Sequence, residues 1–359
     1  MSTVLLSQMT TTGVGGPAGT VLEAATEEEI LSVVRSNDAL GTDLLIIAGG
    51  SNLVVSDDGF PGTVLRLTGT GIEIGGALPG GRVLLTVEAG HPWDDFVARS
   101  IEAGFGGLAA LSGIPGSTGA TPVQNVGAYG ADVSQSIVSV RCWDRRDENL
   151  VEFTNAELEF GYRDSLLKAN TDNGSPRYVV LKVTFGLMPG TESSPIAYAE
   201  LARSLGIEQG DAAEARAVRE KVLSLRSGKG MVLDPADRDT YSTGSFFTNP
   251  IVPEALLEKL PQDAPRFPSG QEGHLKLSAA WLIDRAGFSK GYGLPGTAGE
   301  SIAGGRAALS SKHTLAITNR GGASAQDVLA IARAVRAGVL EAFGIELHNE
   351  PLLIGCSLG

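Results

Sequence analysis

The sequence predicts an α+β chain of about two domains. The length of 359 residues suits two domains of ordinary size. Segments with strand character alternate with segments of helical periodicity through the first half of the chain, which indicates mixed helix and sheet. The composition changes after residue 190, where charged, Ala-rich and Gly/Pro-rich segments follow. We therefore place a domain boundary near 190–205.

Local patterns predict the elements in order. The segment Thr26-Glu27-Glu28-Glu29 matches a capping box and predicts a helix start. Further helices are predicted from Pro92 to near Gly104, after Asn155 as a short helix, and over 211–226, 277–285 and 325–343, the last capped by Ser324 and ended by Gly344. Strands are predicted at 44–48, 64–67, 83–89, 137–143, 149–153, 178–187 and 313–318, with 137–143 and 149–153 paired as a hairpin around 146–148.

Charge and cysteine content exclude several classes of protein. The net charge of −13 argues against non-specific nucleic-acid binding, which needs Lys and Arg to neutralise phosphates. The two cysteines, Cys142 and Cys356, predict neither a disulfide framework nor a metal site, and they fit a reducing cytoplasm. The four histidines form no i,i+4 pair, so we expect no metal. We also expect no signal peptide and no membrane span.

Two glycine-rich segments are candidates for binding a phosphate-bearing ligand. Residues 48–53 (Ala-Gly-Gly-Ser-Asn-Leu) follow a predicted buried strand, and successive small residues can present backbone N–H groups; a plain tight turn is the alternative. Residues 112–130 interleave glycine with Ile, Val and Tyr and contain Pro115 and Pro122, which favours a shaped loop around an elongated ligand over a flexible linker. The amides of Gln124 and Asn125 could pair with the edge of a heterocycle.

Three further segments carry single candidate residues. Arg163, in Gly161-Tyr162-Arg163-Asp164-Ser165, is able to clamp a carboxylate, although a surface salt bridge is the alternative. Ser245 precedes two phenylalanines that also suit core packing, and no GxSxG elbow marks it as a nucleophile. Glu350 stands before an apolar terminal strand, where it could equally lie at a strand edge.

Taken together and in this order, the segments resemble the UDP-N-acetylenolpyruvoylglucosamine reductase family. The resemblance extends from 11–18 to 350–351 and depends on the segments 114–130, 161–165, 244–250 and 349–351, with 279–284 adding to it. It implies an FAD-binding domain of the p-cresol methylhydroxylase/vanillyl-alcohol oxidase type over 1–200, in two lobes of about 1–75 and 76–200. A smaller α/β domain for the UDP-sugar would occupy 201–359, with its terminal strand returning to the active site.

The resemblance also implies the cofactors and their contacts. FAD would be bound between the lobes, and NADPH would reduce it and leave before the sugar nucleotide binds. The implied FAD contacts are Gly49, Gly50, Ser51, Asn52, Leu53, Ile114, Pro115, Gly116, Ser117, Gly119, Ala120, Gln124, Asn125, Gly127, Ala128 and Tyr129. The implied substrate contacts are Tyr162, Tyr198, Lys229 and Asn249. Tyr198 would belong to a substrate-covering tyrosine loop, and Lys229 differs in register from the lysine of the family.

The resemblance implies three catalytic residues. Arg163 would stabilise negative charge that spreads into the carboxylate of the substrate, and Ser245 would deliver a proton to C2. With Arg163, Glu350 would stabilise the developing charge, either as a protonated acid or by orienting other donors. We expect a small-molecule substrate, UDP-N-acetylglucosamine enolpyruvate, and no nucleic-acid or membrane partner; we expect the protein to be a monomer.

The sequence leaves two other functions as alternatives. An oxidase on the same FAD fold would often hold its flavin covalently, and His91 is the candidate attachment residue in that region. A nucleotide-sugar sensor without catalysis would keep the fold and lose the flavin colour.

Overall fold

The computed structural model describes residues 4–172 and 174–359 and shows a mixed helical and sheet chain. The helices are α1 (Glu27–Leu40), α2 (Trp93–Glu102), α3 (Leu166–Ala169), α4 (Ala199–Leu205), α5 (Ala215–Gly228), α6 (Ala279–Arg285), α7 (Glu300–Ala303) and α8 (Ala325–Phe343). The strands are β1 (Ala18–Ala24), β2 (Leu44–Ile47), β3 (Leu53–Val55), β4 (Phe60–Leu67), β5 (Ile72–Ala77), β6 (Val83–Glu88), β7 (Gly127–Ala128), β8 (Ala131–Asp132), β9 (Ile137–Asp144), β10 (Asn149–Thr154), β11 (Thr171–Asp172), β12 (Ser175–Pro176), β13 (Tyr178–Leu187), β14 (Ile251–Pro253), β15 (Arg266–Pro268), β16 (His274–Leu277), β17 (Ala307–Leu309), β18 (Ile317–Asn319) and β19 (Leu352–Ile354).

The chain divides into two compact units that are not contiguous in sequence. The first, called the discontinuous unit, contains residues 1–17, 51–60 and 229–359; the second, called the sheet unit, contains 18–50 and 61–228. This division differs from the predicted boundary between 200 and 201. It also differs from the predicted lobe boundary, because residue 75 falls inside β5.

The sheet unit contains a five-stranded sheet, a three-stranded sheet and its own apolar core. Strands β10, β9, β13, β6 and β5 form an antiparallel sheet in that order, and β1, β4 and β2 form a smaller one in which β2 and β4 run parallel. The rings of Trp93, Phe96 and Phe185 pack together with centroids 5.0–5.8 Å apart. This aromatic cluster buries the inner face of α2 against the larger sheet.

Helix α5 belongs to the sheet unit although the sequence assigned it to the second domain. Its buried residues Ala215, Val218 and Val222 recur at helical spacing and join the core of that unit. A Cβ built on Gly106 would lie 2.7 Å from the Cβ of Ala215, so this contact requires glycine. The helix begins at Ala215 rather than at 211, because residues 211–213 are bonded as extended backbone to 193–196.

The discontinuous unit is assembled by a parallel pairing across the length of the chain. Strand β19 pairs with β3 in the register Leu352–Leu53, Leu353–Val54 and Ile354–Val55. The long helix α8 lies in the core of this unit. Its N-terminus is bound from the segment 51–60, since the carboxylate of Asp57 accepts the N–H groups of Ala325 and Gln326 at 2.8 and 3.2 Å.

The helix starts predicted from capping patterns are confirmed. Thr26 and Ser324 both form complete capping boxes, and Gly344 ends α8 in the left-handed region. The short helix predicted after Asn155 is wrong. The Asn155 amide donates to the carbonyls of Ser134 and Ile137 at 2.7 and 2.9 Å instead of capping a helix.

We expect Ser324→Ala to lower the free energy of unfolding by about 1 kcal/mol, because the Asp327 N–H of α8 loses its side-chain acceptor. Urea unfolding followed by circular dichroism measures the change. Ser36→Ala is the control, since Ser36 is exposed in the middle of α1, where alanine has the higher helix propensity and should be slightly stabilising. Equal stability of the two variants would contradict the capping role.

Candidate active site

The segment 112–130, called the glycine loop, is a shaped and anchored loop within the sheet unit. Three backbone bonds tie it to residues 89–93, which lead from β6 into the first residue of α2: Trp93 N to Gly116 O at 3.0 Å, Thr118 N to His91 O at 2.8 Å and Gly119 N to Ala89 O at 2.9 Å. A Cβ on Gly119 would lie 2.5 Å from the Cβ of Ala89. The flexible-linker interpretation is therefore excluded, because a linker would not be bonded at this density.

The two predicted glycine segments meet at Gly49 and Gly116. A Cβ built on Gly49 would lie 2.7 Å from the Cα of Gly116, so the two backbones touch without side chains between them. Gly116 and Gly50 have φ values of +120° and +56°, in the region that favours glycine. Gly49 itself is exposed. A cradle of bare backbone suits the pyrophosphate of a dinucleotide, so the residues present fit FAD.

Backbone strain marks the second half of the glycine loop. Asn125 and Tyr129 have φ values of 45° and 52°, and Arg163 has 56°. Left-handed conformations at residues other than glycine cost free energy and cluster at functional sites. Both ends of the Asn125 amide are bonded to backbone, to Gly161 O at 3.0 Å and from Ser134 N at 3.1 Å. The Asn125 amide therefore shapes the loop.

The Arg163 guanidinium lies against the same loop. Its Nη1 donates to Asn125 O at 3.2 Å and its Nη2 to Gly127 O at 2.7 Å. Its Cζ lies 5.5 Å from the centroid of the Tyr162 ring. The structure thus brings Arg163 and Tyr162 to the predicted FAD contacts Asn125 and Gly127. A fixed positive charge at this loop can stabilise an anion that forms beside it.

The remaining predicted contacts of the sheet unit also gather on the glycine loop. Tyr198 is 41 % exposed, immediately precedes α4 and packs edge-on against Tyr129 with centroids 5.7 Å apart. The loop itself contains Ile114, Pro115, Ser117, Ala120, Gln124 and Ala128. Ser117 pairs with Pro92 in an isolated bridge. Their roles toward a ligand stay predictions.

Within the discontinuous unit, Ser245 and Glu350 lie on neighbouring extended segments. Glu350 N donates to Phe246 O at 2.9 Å, and Phe247 pairs with Asn349 in an antiparallel bridge. Asn52 joins them, because its Nδ2 donates to Glu350 O at 3.3 Å and its carbonyl accepts from Leu352 N at 2.9 Å. These bonds bring the backbone that follows Ser245, and Asn52 from a distant part of the chain, to the stretch that contains Glu350.

The other predicted residues of this unit are described by their neighbours in the chain or by contacts with other elements. Ser51 precedes Asn52, and Leu53 is the buried first residue of β3. The Asn249 side-chain oxygen accepts from Ala279 N at 2.9 Å, so this amide supports the start of α6. Lys229 follows the end of α5 and is half-buried. Substrate binding by Lys229 and Asn249 stays a prediction.

Sequence reasoning missed three charged residues around the glycine loop. Asp94 forms a bidentate ion pair with Arg219 and accepts a backbone N–H of the loop. Arg226 is only 8 % exposed, and burial lowers the pKa of its guanidinium. All three lie on amphipathic helices, where the sequence alone predicts that a single charged residue faces the solvent. The one available signal was the position of Arg226 on the apolar face of α5, eight residues after Val218.

His91 is unsuited to covalent attachment of a flavin. Its side chain is 1 % exposed and bonds through Nε2 to Asp95 Oδ2 at 2.9 Å. Within residues 4–172 and 174–359, no cluster of three or more His, Cys, Asp or Glu side chains could hold a metal ion. In the same described ranges, no helix combines the length and the hydropathy needed to cross a bilayer.

Comparisons with known proteins define the class and then the family. A family profile described as an FAD binding domain matches residues 18–154, and one described as the C-terminal domain of UDP-N-acetylenolpyruvoylglucosamine reductase matches 234–354. With the glycine cradle, these matches define an FAD-containing oxidoreductase. The predicted α+β architecture with an FAD-binding domain is confirmed.

The relatives extend over nearly the whole chain. A UDP-N-acetylenolpyruvoylglucosamine reductase of Streptomyces avermitilis is 51% identical over 98% of this chain and 94% of its own length. A protein of the same name from Thermobifida fusca is 48% identical over 99% and 98%. The crystal structure of the Thermus caldophilus reductase superposes with a TM-score of 0.64 at 26% identity, covering 98% of each chain. The chain belongs to the UDP-N-acetylenolpyruvoylglucosamine reductase family.

We expect Gly49→Ala to destabilise the sheet unit by about 1–3 kcal/mol, because the new methyl group meets the Gly116 backbone. Gly76→Ala is a matched control, since Gly76 also has an ordinary φ and has open space around its Cβ position. Chemical unfolding of both variants measures the difference. A Gly49→Ala protein as stable as Gly76→Ala would show that the two backbones do not touch.

Proposed function

We propose that the protein reduces the enolpyruvyl double bond of UDP-N-acetylglucosamine enolpyruvate to give UDP-N-acetylmuramate, a step of peptidoglycan precursor synthesis. The observation that carries the proposal is the pairing of the Ser245 and Glu350 segments around Asn52, in a chain of this family. A hydroxyl group and a carboxyl group on neighbouring segments are suited to protonating a reduced carbon.

When bound, FAD supplies the hydride that adds to the methylene carbon of the substrate. Residues of the glycine loop and Gly49 would hold this cofactor through their backbone groups. Negative charge then develops at C2 of the substrate and spreads into the adjacent carboxylate. The Arg163 guanidinium stabilises that charge, and its bonds to the loop carbonyls fix its position before the reaction begins.

Ser245 would donate the proton of its Oγ to C2. Serine is a weak acid, but the carbanion that it quenches is strongly basic, so the transfer is favourable. Glu350 lies on the paired segment and would either donate as a protonated acid or orient the Ser245 hydroxyl. General-acid assistance of this kind accelerates a reaction by about 10²- to 10⁴-fold.

Four residues would bind the rest of the substrate. Tyr162, Tyr198, Lys229 and Asn249 would contact the sugar nucleotide. We propose NADPH as the reductant of the cofactor. We further propose that the enzyme works in the cytoplasm, as a monomer and without a nucleic-acid or membrane partner.

The purified protein tests the proposal directly. It should be yellow, release FAD when denatured with acid, lose its flavin absorbance on anaerobic addition of NADPH, and regain it on addition of the enolpyruvyl substrate. Flavin that stays in the acid precipitate would favour an oxidase with a covalent cofactor. A colourless protein that binds UDP-N-acetylglucosamine derivatives would favour a sensor.

We expect Ser245→Ala to slow reoxidation of the reduced enzyme by substrate by about 10²- to 10⁴-fold, because the proton donor is lost. Reduction by NADPH should proceed at the wild-type rate, since Ser245 takes no part in it. Stopped-flow absorbance at the flavin band measures both half-reactions in one preparation. Equal slowing of both would contradict a role in protonation.

A further inference from the structure

The first turn of α2 holds a charged side chain against the glycine loop. Gly113 N donates to Asp94 Oδ1 at 2.6 Å. Gly113 has a φ of +72° and directly precedes the predicted FAD contacts Ile114, Pro115 and Gly116. The Asp94 carboxylate therefore fixes the position of Gly113, at the start of the segment that contains these contacts.

The same carboxylate is bound by an arginine from another helix. Arg219 Nη1 lies 2.6 Å from Asp94 Oδ1, and Arg219 Nη2 lies 2.8 Å from Asp94 Oδ2. The side chains are 20% and 37% exposed for Arg219 and Asp94. A bidentate pair of this geometry fixes both position and orientation of the carboxylate, which a single contact would not do.

Arg219 lies in a part of the chain that is matched neither by the profile of the FAD binding domain nor by that of the C-terminal domain. It lies in α5, between the matched ranges 18–154 and 234–354. Val218 and Val222 on either side of it are fully buried in the core of the sheet unit. The backbone that carries Arg219 is consequently rigid, and the guanidinium is presented to Asp94 at little cost in conformational entropy.

The charge state of Asp94 agrees with this arrangement. Burial would raise the pKa of the Asp94 carboxyl, but the hydrogen bonds from Arg219 and Gly113 outweigh burial and lower it. Asp94 is therefore ionised at neutral pH, and its bond to Gly113 N–H is charge-assisted, hence stronger than a bond to a neutral acceptor.

We propose that Asp94 and Arg219 are positioning residues for FAD, which act by holding the start of the glycine loop in its binding conformation. The proposal rests on the proposed function, because it takes FAD as the ligand of the loop. A loop that is already ordered loses less entropy when its ligand binds, so affinity depends on whatever orders it. The pair would act on the cofactor through Gly113, whose N–H donates to Asp94.

The experiment compares FAD affinity with the stability of the apoprotein. Apoprotein is prepared from the wild type and from Asp94→Asn, Arg219→Met and Arg219→Lys, and FAD is titrated by quenching of its fluorescence. We expect the dissociation constant to rise about 10- to 100-fold for Asp94→Asn and Arg219→Met, and less for Arg219→Lys, which keeps the charge and loses the fork. The double variant D94N/R219M should be no weaker than the worse single variant, because the two residues act as one unit.

A matched pair in the same unit separates positioning from general stability. Asp144 accepts Arg177 through both oxygens at 2.9 and 2.7 Å and also accepts the N–H of Arg146, so it repeats the arrangement at the β9–β10 turn. Arg177→Met should lower the unfolding midpoint of the apoprotein and leave FAD affinity unchanged. If Arg177→Met weakens FAD binding as much as Arg219→Met does, the proposal is wrong.

The remaining outcomes are also decisive. Wild-type FAD affinity in a folded Asp94→Asn or Arg219→Lys protein overturns the proposal and leaves the proposed function intact. Failure of the wild-type apoprotein to bind FAD overturns the proposed function instead. Should Asp94→Asn not fold, Arg219→Lys still decides, because it keeps a positive charge beside Asp94 but loses the two-point contact that fixes the carboxylate.

Discussion

The parallel pairing of β19 with β3 is the interaction on which the discontinuous unit depends. Strand β3 has three residues, all buried, and its N–H and C=O groups need a partner because water cannot reach them. The partner that the structure provides is the end of the chain, some 300 residues away. This pairing carries Asn52, immediately before β3, to the backbone of Glu350. Two predicted site residues are therefore neighbours as a result of sheet formation.

Local signals in the sequence were sufficient wherever an element is determined by its own residues. Capping boxes at Thr26 and Ser324 located two helix starts, because the cap is a bond between residues three apart. The hairpin of β9 and β10 was found in the same way, from two strand patterns around a short turn. The short helix predicted after Asn155 does not form, and the strand predicted over 313–318 begins only at Ile317, as β18; both differences have one cause. There, side-chain and turn bonds compete with the element that the pattern suggests: the Asn155 amide bonds distant carbonyls, and Ala316 N bonds His313 O in a turn before β18 begins.

The division into units could not be predicted by the same means, because it depends on partners that are distant in sequence. A change of composition near residue 190 suggested one boundary. The apolar face of α5 in fact completes the core of the sheet unit, and the segment 51–60 joins the C-terminal part through β3 and Asp57. The sequence of α5 does not predict the core into which this helix packs, and the same holds for the segment 51–60.

The motifs of the candidate site could be predicted from the sequence. The contacts and backbone conformations that hold these motifs in place could not. Gly49, the glycine loop, Arg163, Ser245 and Glu350 were predicted as candidates from residue type and order, and their roles stay predictions. The left-handed backbone at Asn125, Tyr129 and Arg163 was not, since residues other than glycine seldom adopt it and no pattern announces it. Asp94 escaped notice for another reason: an acidic residue in the first turn of a helix is already explained by the helix dipole.

The first turn of α2 explains how so many glycines can form a defined surface. Trp93 donates its indole N–H to Leu111 O and its backbone N–H to Gly116 O, Asp94 accepts from Gly113, and Asp95 holds His91, whose carbonyl accepts from Thr118. Three consecutive residues thus restrain the loop from before its first residue to Thr118. A helix turn is among the most rigid platforms available to a chain, and a loop fixed to it at several points needs few side chains of its own. The glycines then allow another backbone or a ligand to approach the loop closely. The first turn of α2 restrains the loop conformation, which glycine residues alone would leave flexible.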